Sequence, residues 1–591
     1  MQTKLGRICD ALIEAGWLAA LIATPLFFNT SSNRVFEPDK LHLLRSIALV
    51  MAVAWLVQLV DAGLAGQTGP DGAGRRVGLW AAIRRTPLAL PTLVLVGAYL
   101  ISTALSVVPR ISLLGSYVRM QGTYTFISYV LIFFMVVTHL RTRAQLNRIF
   151  HAVILTGLPI AIYGIIQHYG LDPLPWGGDV KERVAANMGN AIFVAAYLII
   201  ALFLTLERLI DSVASLLSEE KGTTADALRA GAYLFILVVQ LIAIIFTQSR
   251  GPWLGLAAGL YVFGLMGVLL LGRWAAQRRR AVPWLAGAVR PIWAAIIGLT
   301  VAGLAFLVVF NLPNSPLSHL RQQRFIGRMG TLLSTTEGTN AVRVLIWEGV
   351  VDMMLKPHPP IQQPDGTPDI WNPIRPLIGY GPESMWVAYN RFYPPDLAHY
   401  EARNASPDRS HNETFDALVR TGLLGLGVQM WLYVSIFYYA LRWLGLIQGT
   451  QRRNLFLSFL AGGALLGIIV PLIADHSLRL AGIALPAGLI VGLVVYVTVD
   501  LWLVSAKARA AEGDAAAAST AAPGSGRRQL LILALFAAIV AHFVEIHFGI
   551  AIASTLTAFW TLAGVLVVVG MGWVHETEEQ GVAVSPVAVA A

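Results

Sequence analysis

The chain has a single cysteine, Cys9, among 591 residues, so no disulfide can form within it. Charge is scarce too: only 13% of residues are Asp, Glu, Lys or Arg, about half the fraction of an ordinary globular domain. With 56% hydrophobic residues, these shortages exclude a disulfide-stapled scaffold, a disordered or collagen-like chain, and a soluble enzyme. The charge that is present leans basic, Lys+Arg 43 against Asp+Glu 33, a formal +10. A basic excess marks many nucleic-acid binders. In so apolar a chain it is first a matter of topology, because loop charge orients membrane helices. No nucleic-acid partner is expected.

What is abundant is long apolar runs. About 18 such residues suffice for a helix to cross roughly 30 Å of hydrocarbon, and about fourteen runs qualify. They centre near Ala19, Met51, Leu95, Phe133, Ala161, Tyr197, Val239, Leu260, Gly298, Trp431, Leu465, Gly492, Ala538 and Val565. The fold class is therefore an all-α polytopic membrane protein. The first run follows Lys4 and Arg7 but lacks a small-residue cleavage pattern, which favours an uncleaved anchor.

Residues 1–502 read as a membrane core, and 311–410 within it as one long extracytoplasmic loop with short helices. Residues 503–528 read as a flexible cytoplasmic linker, Ala/Gly/Ser-rich between Ala506 and Gly526. Residues 529–591 hold two additional spans and a tail. With both termini in the cytoplasm, inner segments take 24 basic residues and the short outer loops nine. The other ten lie between Arg321 and Arg420, and long translocated loops escape the positive-inside rule. Arg278-Arg279-Arg280 is the strongest inner marker and reads as an anchor to anionic lipid. In the long loop, Ala341 to Leu355 keeps helical apolar spacing, which predicts a surface helix.

The outer face holds most of the candidate chemistry. Ser410 and Glu413 have capping-box spacing, which predicts that Ser410 caps a helix with His411 in its first turn. The helix dipole then keeps His411 neutral and able to accept a proton. Phe415, Leu418, Gly422 and Gly425 follow on one face, where the glycines admit a close neighbouring helix. The plainer reading is an interfacial histidine at a helix start. Arg250 sits in the tight turn Thr247-Gln248-Ser249-Arg250-Gly251-Pro252, suited to phosphate, though a rim arginine also snorkels. Arg119, Lys181, Arg183 and Arg343 share the same face, which suggests an anionic substrate.

Other groups are weaker. Asp475, His476 and Arg479 could relay protons or form a structural hydrogen bond. Glu545 and His547 fall near enough the interface to be solvated. Glu37 and Asp39 are a sparse divalent site, and His399, Glu401 and Asp408 lack zinc spacing. Gly379-Tyr380-Gly381-Pro382 lacks the lysine and hydroxyl of a phosphate loop and reads as a turn.

His411-Asn412, nine residues, then Gly422-Leu423-Leu424-Gly425 resembles the signature of the O-antigen ligase and polymerase superfamily. Four further pieces agree in order: Arg119 with Gln121-Gly122, Arg183 with Gly189-Asn190, Gln248-Ser249-Arg250-Gly251, and Arg343 followed by Gly379-Tyr380-Gly381. The resemblance covers roughly residues 20 to 500. It implies a glycosyltransferase of the bacterial cytoplasmic membrane, its site on the extracytoplasmic face. The donor would be a glycan on undecaprenyl pyrophosphate. The acceptor would be a hydroxyl on lipid A core, another glycan or a protein.

By the same resemblance His411 is the general base, and Arg250, with Arg343 and Arg119, holds the leaving pyrophosphate. Gln121, Arg183, Asn190, Gln248 and Asn412 are expected to contact substrate. The reaction is expected to be inverting and to need no metal or other cofactor. A departing pyrophosphate needs compensating charge, and fixed guanidinium groups can supply it. The two spans from Leu530 to Trp573 exceed the roughly twelve common in the family. Polymerase and protein O-oligosaccharyltransferase activities share these motifs. A transporter of lipid-linked glycans is the rival from another class, expected to carry paired broken helices and midplane polar groups.

Overall fold

Backbone in hydrocarbon must close its own hydrogen bonds, and these apolar runs do so as helices. The computed structural model describes residues 3–64, 79–217, 222–277, 283–312, 314–323, 327–332, 338–511 and 525–575. The arginine run 278–280 and residues 512–524 of the expected linker lie outside them. The described residues form helices and two isolated bridges but no strand. The chain is an all-α polytopic membrane protein.

Helices α1 (Lys4–Leu26), α2 (Pro38–Leu64), the short α3 (Leu79–Arg85) and α4 (Ala89–Ala104) lead to the short α5 (Pro109–Leu114). Next come α6 (Thr123–His139), α7 (Arg143–His168), α8 (Ala191–Leu216), α9 (Thr224–Phe246), α10 (Arg250–Gln277) and α11 (Pro283–Asn311). The long loop carries α12 (Gly338–Leu355) and two four-residue helices, α13 (Arg375–Ile378) and α14 (Met385–Ala388). The chain then continues through α15 (Glu413–Trp443), α16 (Gly449–Asp475), α17 (Ala481–Ala511), α18 (Ser525–Glu545) and α19 (Ala553–Met571).

Twelve of these are long and apolar enough to cross a bilayer. The runs expected near Leu95 and Phe133 are the shorter α4 and α6, with 16 and 17 residues, roughly 24–26 Å. Both still run between the same two ends of the bundle as the others. At one end Arg143 and Arg141 pair through backbone with His575, and Arg527 binds Asp211. At the other, Asn187 binds the carbonyls closing α1, and Asn412 binds the turn after α18.

The last two helices are the most enclosed of the spans. Of each, 89% of the apolar window is buried, against 6% for α11. Helix α18 packs on α8 and α10, and α19 on α1 and α6. The sequence reason is a glycine at every fourth position over the first part of α10, Gly251, Gly255 and Gly259. A Cβ at Gly251 would meet Phe548, at Gly255 the Ala541 carbonyl, and at Gly259 the Ala537 carbonyl. Small residues at this spacing let two helix backbones touch. What reads in sequence as an addition is packed in the middle of the bundle.

Helix α15 is broken rather than straight. Gly422 sits at φ 65°, ψ −167°, a conformation open essentially to glycine alone. The segment before it folds back so far that Gln429 donates to Glu413 Oε1 at 2.9 Å. Sixteen residues of straight helix would hold those groups roughly 24 Å apart. The close neighbour at Gly422 is therefore the backbone of α13 at Leu377, not another spanning helix. The break frees carbonyls, and Gly379-Tyr380-Gly381 takes them: Tyr380 N donates to Val419 O (2.8 Å) and Gly381 N to Arg420 O (3.2 Å).

The long loop has a core of its own. Trp347, Val350 and Met354 of α12 pack with Tyr380, Tyr389, Leu397, Phe415 and Leu418. The helix expected over Ala341–Leu355 is present but buries one face instead of lying open on the surface.

Candidate functional site

The cap of α15 differs from the sequence expectation. Asn412, not Ser410, caps it: Asn412 Oδ1 accepts from Phe415 N (3.1 Å) and Nδ2 donates to His547 O (2.9 Å). Asp416 reaches back one turn to accept from both the Ser410 amide and hydroxyl, each at 2.8 Å. His411 is left between two anchored residues, before the helix rather than in its first turn. Its backbone is left-handed, φ 58°.

His411 Nδ1 lies 3.2 Å from Arg409 O. A carbonyl accepts only, so Nδ1 carries the hydrogen and Nε2 the lone pair. Arg409 is itself held, its Nη2 donating to Gln121 Oε1 (2.8 Å) and its Nη1 3.8 Å from Asp416 Oδ2. The imidazole pKa is lowered to about 4, first by burial, then by Arg343, with Arg119 adding to the shift and Asp408 opposing it. The imidazole is neutral, as expected, but the leading cause is burial rather than the helix dipole.

Arg343 rises from α12 toward the same place. Its pKa is lowered to about 10, by burial and then by Arg250 and Arg183. Those three guanidinium groups are thus near enough for their charges to oppose one another, and among the described residues no carboxylate pairs with Arg343. The turn Thr247–Arg250 sets two of them. Arg183 Nε donates to Thr247 O (3.4 Å) and Nη2 approaches Ser249 Oγ at 3.5 Å. Gln248, itself left-handed, donates from Nε2 to Glu182 O (2.9 Å).

Arg119 stands next to the histidine but its fork is taken up by Asp408, Nε to Oδ2 at 2.8 Å and Nη2 to Oδ1 at 3.3 Å. Burial would raise the Asp408 carboxyl, yet the hydrogen bond and charge of Arg119 hold it below its ordinary value. Gln121 is also occupied, between Arg409 and Ala551 O (3.1 Å). Asn190 is exposed and caps α8 through Ile192 N (3.1 Å), with no hydrogen bond to the cluster. Of the nine residues expected at the site, His411 and Arg183, Arg250 and Arg343 converge. Arg119, Gln121, Gln248 and Asn412 position their neighbours.

Several contributors escape sequence reading. Glu383 accepts from Gln121 N (2.6 Å) and Ser116 N, so it fixes the turn that carries Arg119. Arg375, buried, binds Asp369 bidentately at 2.7 and 2.8 Å and donates to Leu105 O and Gly379 O. Glu545 and His547 are buried within the bundle, not solvated at its rim. Apart from the contacts of Arg375 with Asp369 and Gly379, none of these pairings is local in sequence. Asp475, His476 and Arg479 behave structurally: Arg479 forks onto Asp475 (2.6 and 2.8 Å) and reaches Glu348 (3.2 Å).

Glu37 and Asp39 turn to different partners, Ala553 N (3.4 Å) and Asn29 Nδ2 (2.7 Å). Among the described residues no group of three His, Cys, Asp or Glu side chains is placed to hold a metal. Near the start of α15, a cavity of ≈ 60 Å³ is walled mostly by apolar groups such as Phe126, Phe559 and Trp560, with Gln121, Glu413, Arg420 and Gln429 on its polar side. In comparisons with known proteins, no family model and no curated protein matches the chain.

Proposed function

We propose that the protein is a membrane glycosyltransferase of the O-antigen ligase and polymerase type, moving a glycan from undecaprenyl pyrophosphate to an acceptor hydroxyl. The observation that supports this reading is Arg343, half-buried beside Arg250 and Arg183, next to a neutral histidine, and with no carboxylate partner among the described residues. A guanidinium held among like charges, as Arg343 is, wants an anion, and a diphosphate matches its fork geometry. An uncharged imidazole with a free Nε2 wants a proton.

In the proposed step the acceptor oxygen attacks the anomeric carbon as His411 Nε2 takes its proton. The carbon–oxygen bond to pyrophosphate breaks with inversion, and the departing oxygen keeps the electron pair against the arginines. Each charge-assisted hydrogen bond is worth about 1.5–3 kcal/mol, so a few can take the place of a divalent cation. A positioned base contributes roughly 10²–10⁴ in rate. Asp408 keeps Arg119 beside this centre without leaving its charge free.

The site face is taken as extracytoplasmic, in the cytoplasmic membrane of a bacterium, with both termini inside, on the basic-residue asymmetry described above. Lipid A core, a second glycan and a protein hydroxyl remain the acceptor classes, and all three share this chemistry. His411→Ala in purified, folded protein is expected to lose glycan transfer. Full transfer by that variant would refute the base assignment. Activity that EDTA abolishes and magnesium restores would refute the metal-free mechanism.

A further inference from the structure

The long loop carries an apolar ledge that the site does not use. Ile370, Trp371, Ile374 and Leu377 are 74%, 38%, 39% and 52% exposed, within eight residues that run into α13. In water such a cluster would be a liability, since large apolar patches seldom stay exposed on soluble surfaces.

Its depth can be read from α15. About 22 residues separate Gly422 from Trp443, inclusive, roughly 33 Å of helix, which is the thickness of the hydrocarbon core. Trp443 lies against Gly570 at the far end of α19. A bilayer whose one boundary lies at Trp443 would have the opposite one near Gly422, and it is against Gly422 that the Leu377 backbone packs. Helix α4 ends at the same level, because Arg375 donates to Leu105 O (2.7 Å) and Ser102 to Arg420 O (2.5 Å). The ledge is also continuous with lipid-facing surface: Leu423 and Leu424 follow Gly422, and Leu100 and Ile101 precede the end of α4, all exposed.

We propose that residues 370–377 form an interfacial anchor, with Ile370, Trp371, Ile374 and Leu377 immersed at the boundary between headgroups and acyl chains of the bilayer. A tryptophan among aliphatics is the side-chain set suited to that layer. Asp369 and Arg375, the only charges in the stretch, are satisfied by each other and by backbone, so no bare charge is carried into lipid. Anchoring has a consequence for the loop. Gly379-Tyr380-Gly381 follows the ledge directly and holds the broken carbonyls of α15, so bilayer contact and the α15 break are fixed together.

The lone cysteine makes a direct test available. In a Cys9→Ala background, Ile370→Cys and Leu377→Cys are spin-labelled in the full chain, in phosphatidylethanolamine/phosphatidylglycerol vesicles. Accessibility to oxygen and to nickel ethylenediaminediacetate is then compared. Ala398→Cys in the loop serves as the aqueous reference and Leu465→Cys on α16 as the lipid one, both exposed positions. The oxygen-to-nickel ratio at both ledge positions is expected several-fold above that of Ala398→Cys and toward that of Leu465→Cys. A ratio at either position equal to the aqueous reference overturns the proposal. So does dipolar broadening between labels of different molecules, which would mean that a second copy covers the ledge.

Discussion

Arg343→Ala should make the ligand-free protein more stable and the proposed glycan transfer far slower. The depression of its pKa from 12.5 to about 10 measures how much its environment resists the charge. At 1.36 kcal/mol per pH unit that is at most roughly 3 kcal/mol, and solvent screening of a half-buried group cuts it to about 1 kcal/mol. Removing the guanidinium returns that cost to the folded state. In the proposed transition state the same change would delete a fork of two charge-assisted bonds, about 3–6 kcal/mol, or roughly 10²–10⁴ in kcat/KM. Arg343→Lys keeps the charge but not the fork and should fall between. The assay is a thermal melt of purified protein with and without inorganic pyrophosphate, alongside single-turnover transfer. Wild type should gain stability on adding pyrophosphate, and Arg343→Ala should start higher and gain little. A variant that melts lower and still responds fully to pyrophosphate would refute the reading of this cluster as an anion site.

Three further expectations follow from particular contacts. His411 is neutral in the fold down to about pH 4 but takes a proton near 6.5 when unfolded. Its contribution to stability is therefore intact above 6.5 and declines as pH falls toward 4, whereas the acid limb of kcat/KM for the free enzyme should lie near 4; pH-dependent melts and rates check both. Gly422→Ala places a side chain in a glycine-only region and against the Leu377 carbonyl, so it should lose at least about 1–3 kcal/mol in a melt. A chain ending at residue 511 should not fold, while fragments 1–511 and 525–591 expressed together should co-purify by size exclusion, because α18 and α19 belong to the interior.

How much of this was legible beforehand depends on the range of the interaction. Span positions were, because a run of apolar residues is a local property, and each of the fourteen centres falls in a helix. The charge cluster was legible as a set of candidates, since cations at span boundaries are few in a chain with so little charge. Their division of labour was not. Nothing near Arg119 announces that Asp408, 289 residues away, occupies it, and the same holds for Gln121 and Glu383. The cap of α15 was misread for a different reason. Ser410, Asn412 and Glu413 all satisfy capping rules, and only the reach of Asp416 back to Ser410 decides which residue the helix starts from.

The hidden position of α18 and α19 has the most bearing on the site. Hydropathy sees two apolar runs after a polar linker and ranks them no differently from any other pair. Burial depends on what faces them, and that information sits some 280 residues earlier, in the glycines of α10. The same glycine series starts at Gly251, immediately after Arg250. One face of α10 thus receives α18 while its first residue belongs to the arginine cluster. The turn leaving α18 delivers His547 O to the Asn412 cap and Ala551 O to Gln121. Both ends of the His411 segment therefore lean on the last pair of helices. Removing those helices takes away the support that holds His411 in place beside the cations, so the last two spans are part of the proposed site and not an appendage to it.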